Sequence, residues 1–226
     1  MKKNKRKAII DDGMNPELVK NADFDGYLGI PIIKKPEKII IPKRIIPFNY
    51  INRATSTLDA ICFNKDDTEF SDILIHPELY VDALKDRIFI TPDCSLYRDM
   101  PLAAQITNVY RNRAIGVFLQ NNGVYVIPQV RWGNSLTYTT SVLPEKVAFL
   151  GVPQNSIVAI GTYGCVQSRK NKEHFKKGLE SMLTTLEPKT VLVYGAMPDY
   201  IFNEYINYTN FIKYPDWDTF IHGGDQ

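Results

Sequence analysis

Residues 91–101 read TPDCSLYRDMP and crowd carboxylates, hydroxyls, a thiol and a guanidinium into eleven positions. Asp93 directly follows an apolar run, a place where a carboxylate can serve as acid, base or nucleophile. The alternative for Asp93 is an Asx-type turn or a helix cap. Asp99 suits capping of a helix that begins near Pro101. Ser95 and Cys94 are nucleophiles by type, but no histidine is obviously paired with either. His174 falls within a polar helical stretch, and His76 and His222 fall in a loop and a tail.

Further along, VIPQVRWG (126–133), GTYGC (161–165), YGAMPD (194–199) and YPDWD (214–218) each follow an apolar run. Arg131 could grip a phosphate or carboxylate by two points, or pair with Asp93 or Asp99. Arg98 has the same two readings. Trp132 and Tyr163 offer flat faces for a ring, or rim packing. Thr162 and Tyr194 complete the candidate ligand contacts, with Asp93, Asp99 and Ser95 as the catalytic candidates. Gly161 and Gly164 are too closely spaced for a dinucleotide or phosphate-loop fingerprint, so no cofactor is indicated. Cys62, Cys94 and Cys165 are odd in number and far apart. That argues against a disulfide framework or zinc ribbon and leaves buried cysteines as the default, so no metal is expected.

The elements that must position these groups alternate. Residues 60–63, 87–90, 124–128, 157–160, 190–194 and 211–214 read as strands. Between them, 77–85, 101–121, 172–186 and 199–208 read as helices. In the helix over 101–121, Ala103, Ile106, Tyr110, Ala114 and Val117 fall on one face. In that over 172–186, Phe175, Leu179, Met182, Leu183 and Leu186 do. Helix-length connections imply parallel pairing and an α/β fold. A compact or incomplete (β/α) barrel fits, as does an open doubly wound sheet; a full eight-stranded barrel usually needs about 250 residues. In either form ligands bind beyond the carboxyl ends of the strands. The segments named above then share one rim, while EPKT (187–190) and QNS (154–156) on the other rim are ordinary turn material.

The same segments carry a resemblance. TPDCSLYRDMP, VRWG (130–133), GVPQNSIVAIGTYG (151–164) and LVYG (192–195) resemble the domain of unknown function four-four-one-seven family, over about Phe24 to Trp217. The resemblance implies a phage or mobile-element setting and a shared pocket. It assigns no catalytic role to any residue.

Composition sets the outer limits. The 226 residues, 44% hydrophobic and 23% charged, suit one domain over 26–220, with a polar lead-in over 1–25 and a tail over 221–226. The net charge of +2 provides no overall field toward nucleic acid or membrane. Lys2, Lys3, Lys5, Arg6 and Lys7 form a local basic cluster, read as a solvated end or a weak phosphate-backbone contact. The short apolar stretch after them does not make an export signal, and no run is long enough to span a membrane. A reducing cytoplasm is the expected compartment. The expected function is an enzyme acting on a nucleotide, nucleobase or similar anionic small molecule at the strand-end rim. The alternatives are a non-catalytic nucleotide-signal binder or a nucleic-acid accessory protein of a mobile element.

Overall fold

The computed structural model describes residues 15–63 and 71–222. The basic cluster at residues 2–7 and the last four residues lie outside them. Two short strands, β1 (Phe24–Asp25) and β2 (Ile30–Pro31), pair antiparallel. Seven parallel strands follow: β3 (Arg44–Pro47), β4 (Asp59–Cys62), β5 (Ile88–Ile90), β6 (Tyr125–Ile127), β7 (Ile157–Gly161), β8 (Thr190–Tyr194) and β9 (Asn210–Tyr214). The helices are α1 (Ser71–Ile75), α2 (Val81–Leu84), α3 (Leu102–Asn121), α4 (Ser135–Tyr138), α5 (Arg169–Leu186), α6 (Asp199–Phe202) and α7 (Trp217–His222). The stretch read as one helix over 199–208 is shorter, with α6 passing into a 3-10 turn at Asn203–Tyr205.

The ladder order is β3-β4-β5-β6 in one sheet and β7-β8-β9 in a second. A parallel bridge between Gln129 and Ala159 joins them, through Ala159 N–H to Pro128 O (3.0 Å) and Val130 N–H to Ala159 O (2.8 Å). The fold is therefore α/β with parallel strands, and no closed barrel forms among the described residues. The strands curl nonetheless. Ile45, Ala60, Ile90, Ile127, Leu192 and Tyr214, drawn from the first strand to the last, share one inner apolar cluster. The Tyr214 hydroxyl reaches across the gap to Pro42 O at 2.6 Å.

The period of two along each strand assigns the other face to the helices. Val158, Ile160, Val191 and Val193 pack under α5, whose Phe175, Leu179, Met182, Leu183 and Leu186 are all buried as the spacing predicts. Each such side chain contributes roughly 1.5–3 kcal/mol. Ile46, Ile61, Phe89 and Val126 face α3 and its neighbours. Within the lead-in, Pro16–Val19 form a 3-10 turn that buries Leu18 in the same cluster.

Helix α3 departs from the apolar stripe. Ala103 is exposed, and Ile106 and Tyr110 are only half-buried, although Ala114 and Val117 are buried as expected. The buried stripe instead runs through Gln105, Val109, Asn112, Arg113 and Gly116. Gly116 belongs there because a Cβ would meet Ile33 Cδ1 at 2.5 Å and Thr91 Cγ2 at 2.8 Å. Arg113 is 2% exposed. Its Nε donates to Leu150 O (3.0 Å), Nη1 to Gln129 O (3.0 Å) and to Asn112 Oδ1, and Nη2 to Ala148 O (3.1 Å). Burial pushes its pKa down to about 10, which still leaves it cationic at neutral pH. Asn112 in turn donates to Pro92 O (2.6 Å) and accepts from the Thr91 hydroxyl (3.0 Å), which accepts from Gln129 N–H (2.8 Å).

Arg113→Met would leave three buried carbonyls without their donor. It is expected to lower unfolding stability by on the order of 3 kcal/mol in a denaturant titration. A loss below about 1 kcal/mol would mean that water replaces the guanidinium there.

Candidate functional site

A cavity of about 530 Å³ opens at the carboxyl ends of the parallel strands, within the roughly 300–1,000 Å³ typical of small-molecule sites. Both sheets build it. The loop after β5 contributes Asp93, Ser95 and Arg98, and that after β6 contributes Arg131, Trp132 and Gly133. The segments after β7 and β9 bring Tyr163, Cys165, Asp216, Trp217 and Asp218. Tyr194 closes β8, and α5 adds Asn171, His174 and Phe175.

At its base, Arg131 Nη1 donates to Asp93 Oδ2 at 2.5 Å. The guanidinium therefore pairs with Asp93, the plainer of its two readings. The Asp93 charge raises the Arg131 pKa further, against the opposing effect of burial. Arg131 Nη2 also lies 3.8 Å from Cys165 Sγ. Burial pushes the Cys165 thiol up, so it is protonated at neutral pH. Asp93 is only 9% exposed, yet its Oδ1 is buried without a hydrogen-bond partner. The buried Asp59 on the opposite rim is the contrast. It accepts from Arg44 Nε (3.1 Å) and Nη2 (2.6 Å), Thr55 N–H (2.8 Å) and Ser56 N–H (3.1 Å). Asp59 is a structural brace between β3 and β4; Asp93 Oδ1 has no such set of donors.

The other candidates divide. Ser95 is buried at the cavity wall, and its carbonyl accepts from Asn108 Nδ2 at 2.7 Å. Arg98 is exposed at the rim and is steered by Asn171 Oδ1 at 2.8 Å. Tyr163, 75% exposed, stands at the mouth. Tyr194 lines the wall and its hydroxyl accepts from Trp217 N–H at 2.9 Å; burial raises its pKa. Trp132 is a core residue whose ring packs on Phe175 at 4.9 Å, and a Cβ at Gly178 would lie 2.1 Å from its Nε1. Its edge forms wall rather than a free face.

Two expectations are corrected. Asp99 is exposed, does not line the cavity and does not cap α3, which starts behind Pro101 with no side-chain cap. The fixed φ of Pro101 shapes that helix entry without a carboxylate. Thr162 does not reach the cavity either. It is 1% exposed and lies against the β8 end, with Oγ1 3.4 Å from Tyr194 O; its register is that of Val158 and Ile160, which face α5. The three cysteines do not converge: Cys62 and Cys94 sit in separate apolar clusters and Cys165 borders the cavity. No group of three His, Cys, Asp or Glu side chains among the described residues is arranged to hold a metal.

The sequence pattern concealed one participant. His174 lines the cavity with its Nε2 2.5 Å from Gly133 O. A carbonyl can only accept, so Nε2 carries the proton and Nδ1 is left as the ring's acceptor. Burial lowers the His174 pKa from 6.5, so the ring is neutral at pH 7. Its partner is a backbone atom 41 residues away, which no spacing rule detects. The segment after β9 was legible as rim. Its short helix α7 was not, although Asp216 caps it through Thr219 N–H and Oγ1, both at 2.9 Å.

Fold and cavity define an α/β protein of parallel strands with a cavity of small-molecule size at the strand carboxyl ends. The model for "Domain of unknown function (DUF4417)" matches residues 22–215, and the chain belongs to this family. It is similar to the Gene 1 protein of Mycobacterium phage L5, 35% identical over 139 residues, which cover 61% of this chain and 58% of that protein. A second relative is the Gene 1 protein of Mycobacterium phage D29, at 33% identity over 61% of this chain and 49% of that one. The chain thus spans about half the length of these phage relatives. No solved structure matches it. No described helix is long and apolar enough to cross a membrane.

Arg131→Ala strands the Asp93 carboxylate in a buried site, and a loss of about 3 kcal/mol is expected. The double variant with Asp93→Ala should recover part of that loss in the same denaturant titration, giving a double-mutant coupling that additivity would rule out. His174 gives a pH signature. Above 6.5 the ring is neutral folded and unfolded; below it the unfolded chain takes the proton first, so the folded state loses stability as pH falls. Between about pH 7 and pH 5.5, melting temperatures should therefore fall more for the natural chain than for His174→Gln.

Proposed function

We propose that the cavity is the active site of an enzyme acting on a nucleotide, nucleobase or similar anionic small molecule in a phage-type setting. The observation that carries this reading is the buried, unpartnered Oδ1 of Asp93, a residue that lines a cavity at the strand carboxyl ends. A protein that needed Asp93 only for its own stability would satisfy both oxygens, as it does for Asp59. Asp93 meets a donor on the ligand and handles its proton, with neutral His174 as the second proton acceptor. Arg131 holds Asp93 in place instead of gripping the ligand. Arg98 supplies the exposed charge for the anionic part, and Tyr163 covers a ring at the mouth.

One observation favours a second reading, a binder that sequesters a nucleotide signal without turnover: Oδ2 of Asp93 is already committed to Arg131. A thermal-shift panel of nucleotides, nucleobases and cyclic nucleotides, followed by product analysis, separates the two. A ligand at about 100 times its Kd should stabilise by roughly 2.7 kcal/mol. Asp93→Asn, which can still accept from Arg131, should keep the shift and lose turnover by about 10²-fold or more. Binding with no product supports the binder. Salt-sensitive DNA binding that disappears when residues 1–7 are removed, with no small-molecule shift, would move the assignment to a nucleic-acid accessory protein.

A further inference from the structure

His174 reaches the cavity from α5, yet what holds its ring belongs to the loop after β6. The Gly133 carbonyl accepts from Nε2 at 2.5 Å, and the Tyr138 ring meets the imidazole in a T-shaped contact at 5.8 Å. A carbonyl can set a ring only if it is itself held. Gly133 N–H donates to Thr137 Oγ1 at 3.2 Å, and that hydroxyl donates to Asn134 O at 2.8 Å. Asn134 Nδ2 donates to Arg98 O at 2.9 Å, and its Oδ1 accepts from Leu136 N–H at 3.1 Å. The peptide group that carries the Gly133 carbonyl is therefore tied at both of its residues.

A further restraint comes from α3. Gln105 is fully buried, and its Nε2 donates to Met100 O at 2.7 Å. That bond identifies Oε1 as the other amide atom, and Oε1 is buried without a hydrogen-bond partner. It occupies the space that a side chain at 133 would need: a Cβ there would overlap Oε1 and lie 2.8 Å from Gln105 Cδ. Gly133 does not adopt the left-handed φ that calls for glycine at Gly151 or Gly164, so its missing side chain serves this contact. Gln105 thus bears the cost of an unpaired acceptor while pressing on the residue whose carbonyl holds His174.

We infer that Gln105 and Gly133 are positioning residues for His174: the close fit between them aims the Gly133 carbonyl, which keeps the proton on Nε2 and leaves Nδ1 as an acceptor. The work of His174 as a proton acceptor rests on the function proposed above; its positioning does not. A neutral imidazole that nothing holds exchanges between two tautomers, and only one of them has a free Nδ1. A ring locked in that form can take a proton at Nδ1 without first moving the one at Nε2.

Nitrogen NMR of the imidazoles in the full chain, without ligand, tests the positioning at about pH 8, where the ring is neutral. The spectrum of His174→Gln identifies its resonances among those of His76 and His222. In the natural chain the Nε2–H form should dominate by roughly tenfold or more, the worth of one buried hydrogen bond. Gln105→Ala empties the space over residue 133, and Gly133→Ala fills it twice. Each should cut the preference by roughly threefold or more, toward that of a short histidine peptide measured alongside. The double variant fills the space once, with the new methyl group, and should restore most of the natural preference. A natural-like ratio in both single variants overturns the inference, and so does a double variant no better than Gly133→Ala. If Gly133→Ala does not fold, Gln105→Ala decides alone. No ligand enters these spectra, so their outcome is separate from that of the nucleotide panel, on which the enzyme reading depends.

Discussion

The guanidinium of Arg113 is buried with no ion-pair partner among the described residues, and much of the rim depends on that choice. A buried carboxylate partner would have consumed its donors in one ion pair. Here the planar fork spreads them over the carbonyls of Gln129, Ala148 and Leu150 and over Asn112. Those carbonyls lie in loops, where backbone groups have no ladder to satisfy them. One side chain of α3 therefore closes the hydrogen bonding of the loop after β6 and of the 148–150 turn. Asn112, its neighbour, does the same for Pro92 after β5. Asp93 and Arg131 stand one and two residues beyond these anchored points, so their ion pair is set by a rigid base.

That base also explains how the site crosses a seam. The seven parallel strands fall into two ladders joined by one bridge at Gln129 and Ala159. The cavity draws Asp93 and Arg131 from the first ladder and Tyr163, Tyr194 and Trp217 from the second. The residue at the bridge, Gln129, is the one whose backbone N–H and carbonyl are engaged by Thr91 and Arg113. The join between the two halves and the fixed floor of the cavity are thus the same few residues.

The two ends of the strands serve different purposes. At the amino ends, the buried Asp59 carboxylate accepts four hydrogen bonds, two from Arg44 and one each from Thr55 N–H and Ser56 N–H. At the carboxyl ends, polar groups are left buried and incomplete, at Asp93 Oδ1 and Trp217 Nε1. Leaving such groups unpaired costs stability, and Ser156 Oγ at the amino ends carries the same cost.

Much was readable from the chain alone. Strand positions from residue 60 onward, the parallel α/β class, the inward stripe of α5 and the rim that bears the site follow from local periodicity and the handedness of connections, which neighbouring residues determine. Asp93, Ser95, Arg98, Arg131, Tyr163 and Tyr194 line the cavity, and the sequence placed them on that rim because each lies on the segment that follows a strand, or closes the strand itself. Tertiary structure alone decided the rest. The buried side of α3 mixes apolar residues with Gln105, Asn112 and Arg113, so a search for apolar spacing finds Ala114 and Val117 and misses the polar ones: Asn112 and Arg113 belong inside only because distant loop carbonyls receive them. Whether Arg131 pairs with Asp93 or stays free, whether Asp99 caps a helix, and which way Thr162 and His174 face depend on partners tens of residues away. Hydrogen bonds and ion pairs are directional and short-ranged, so such roles exist only once the chain has folded and the partners have met.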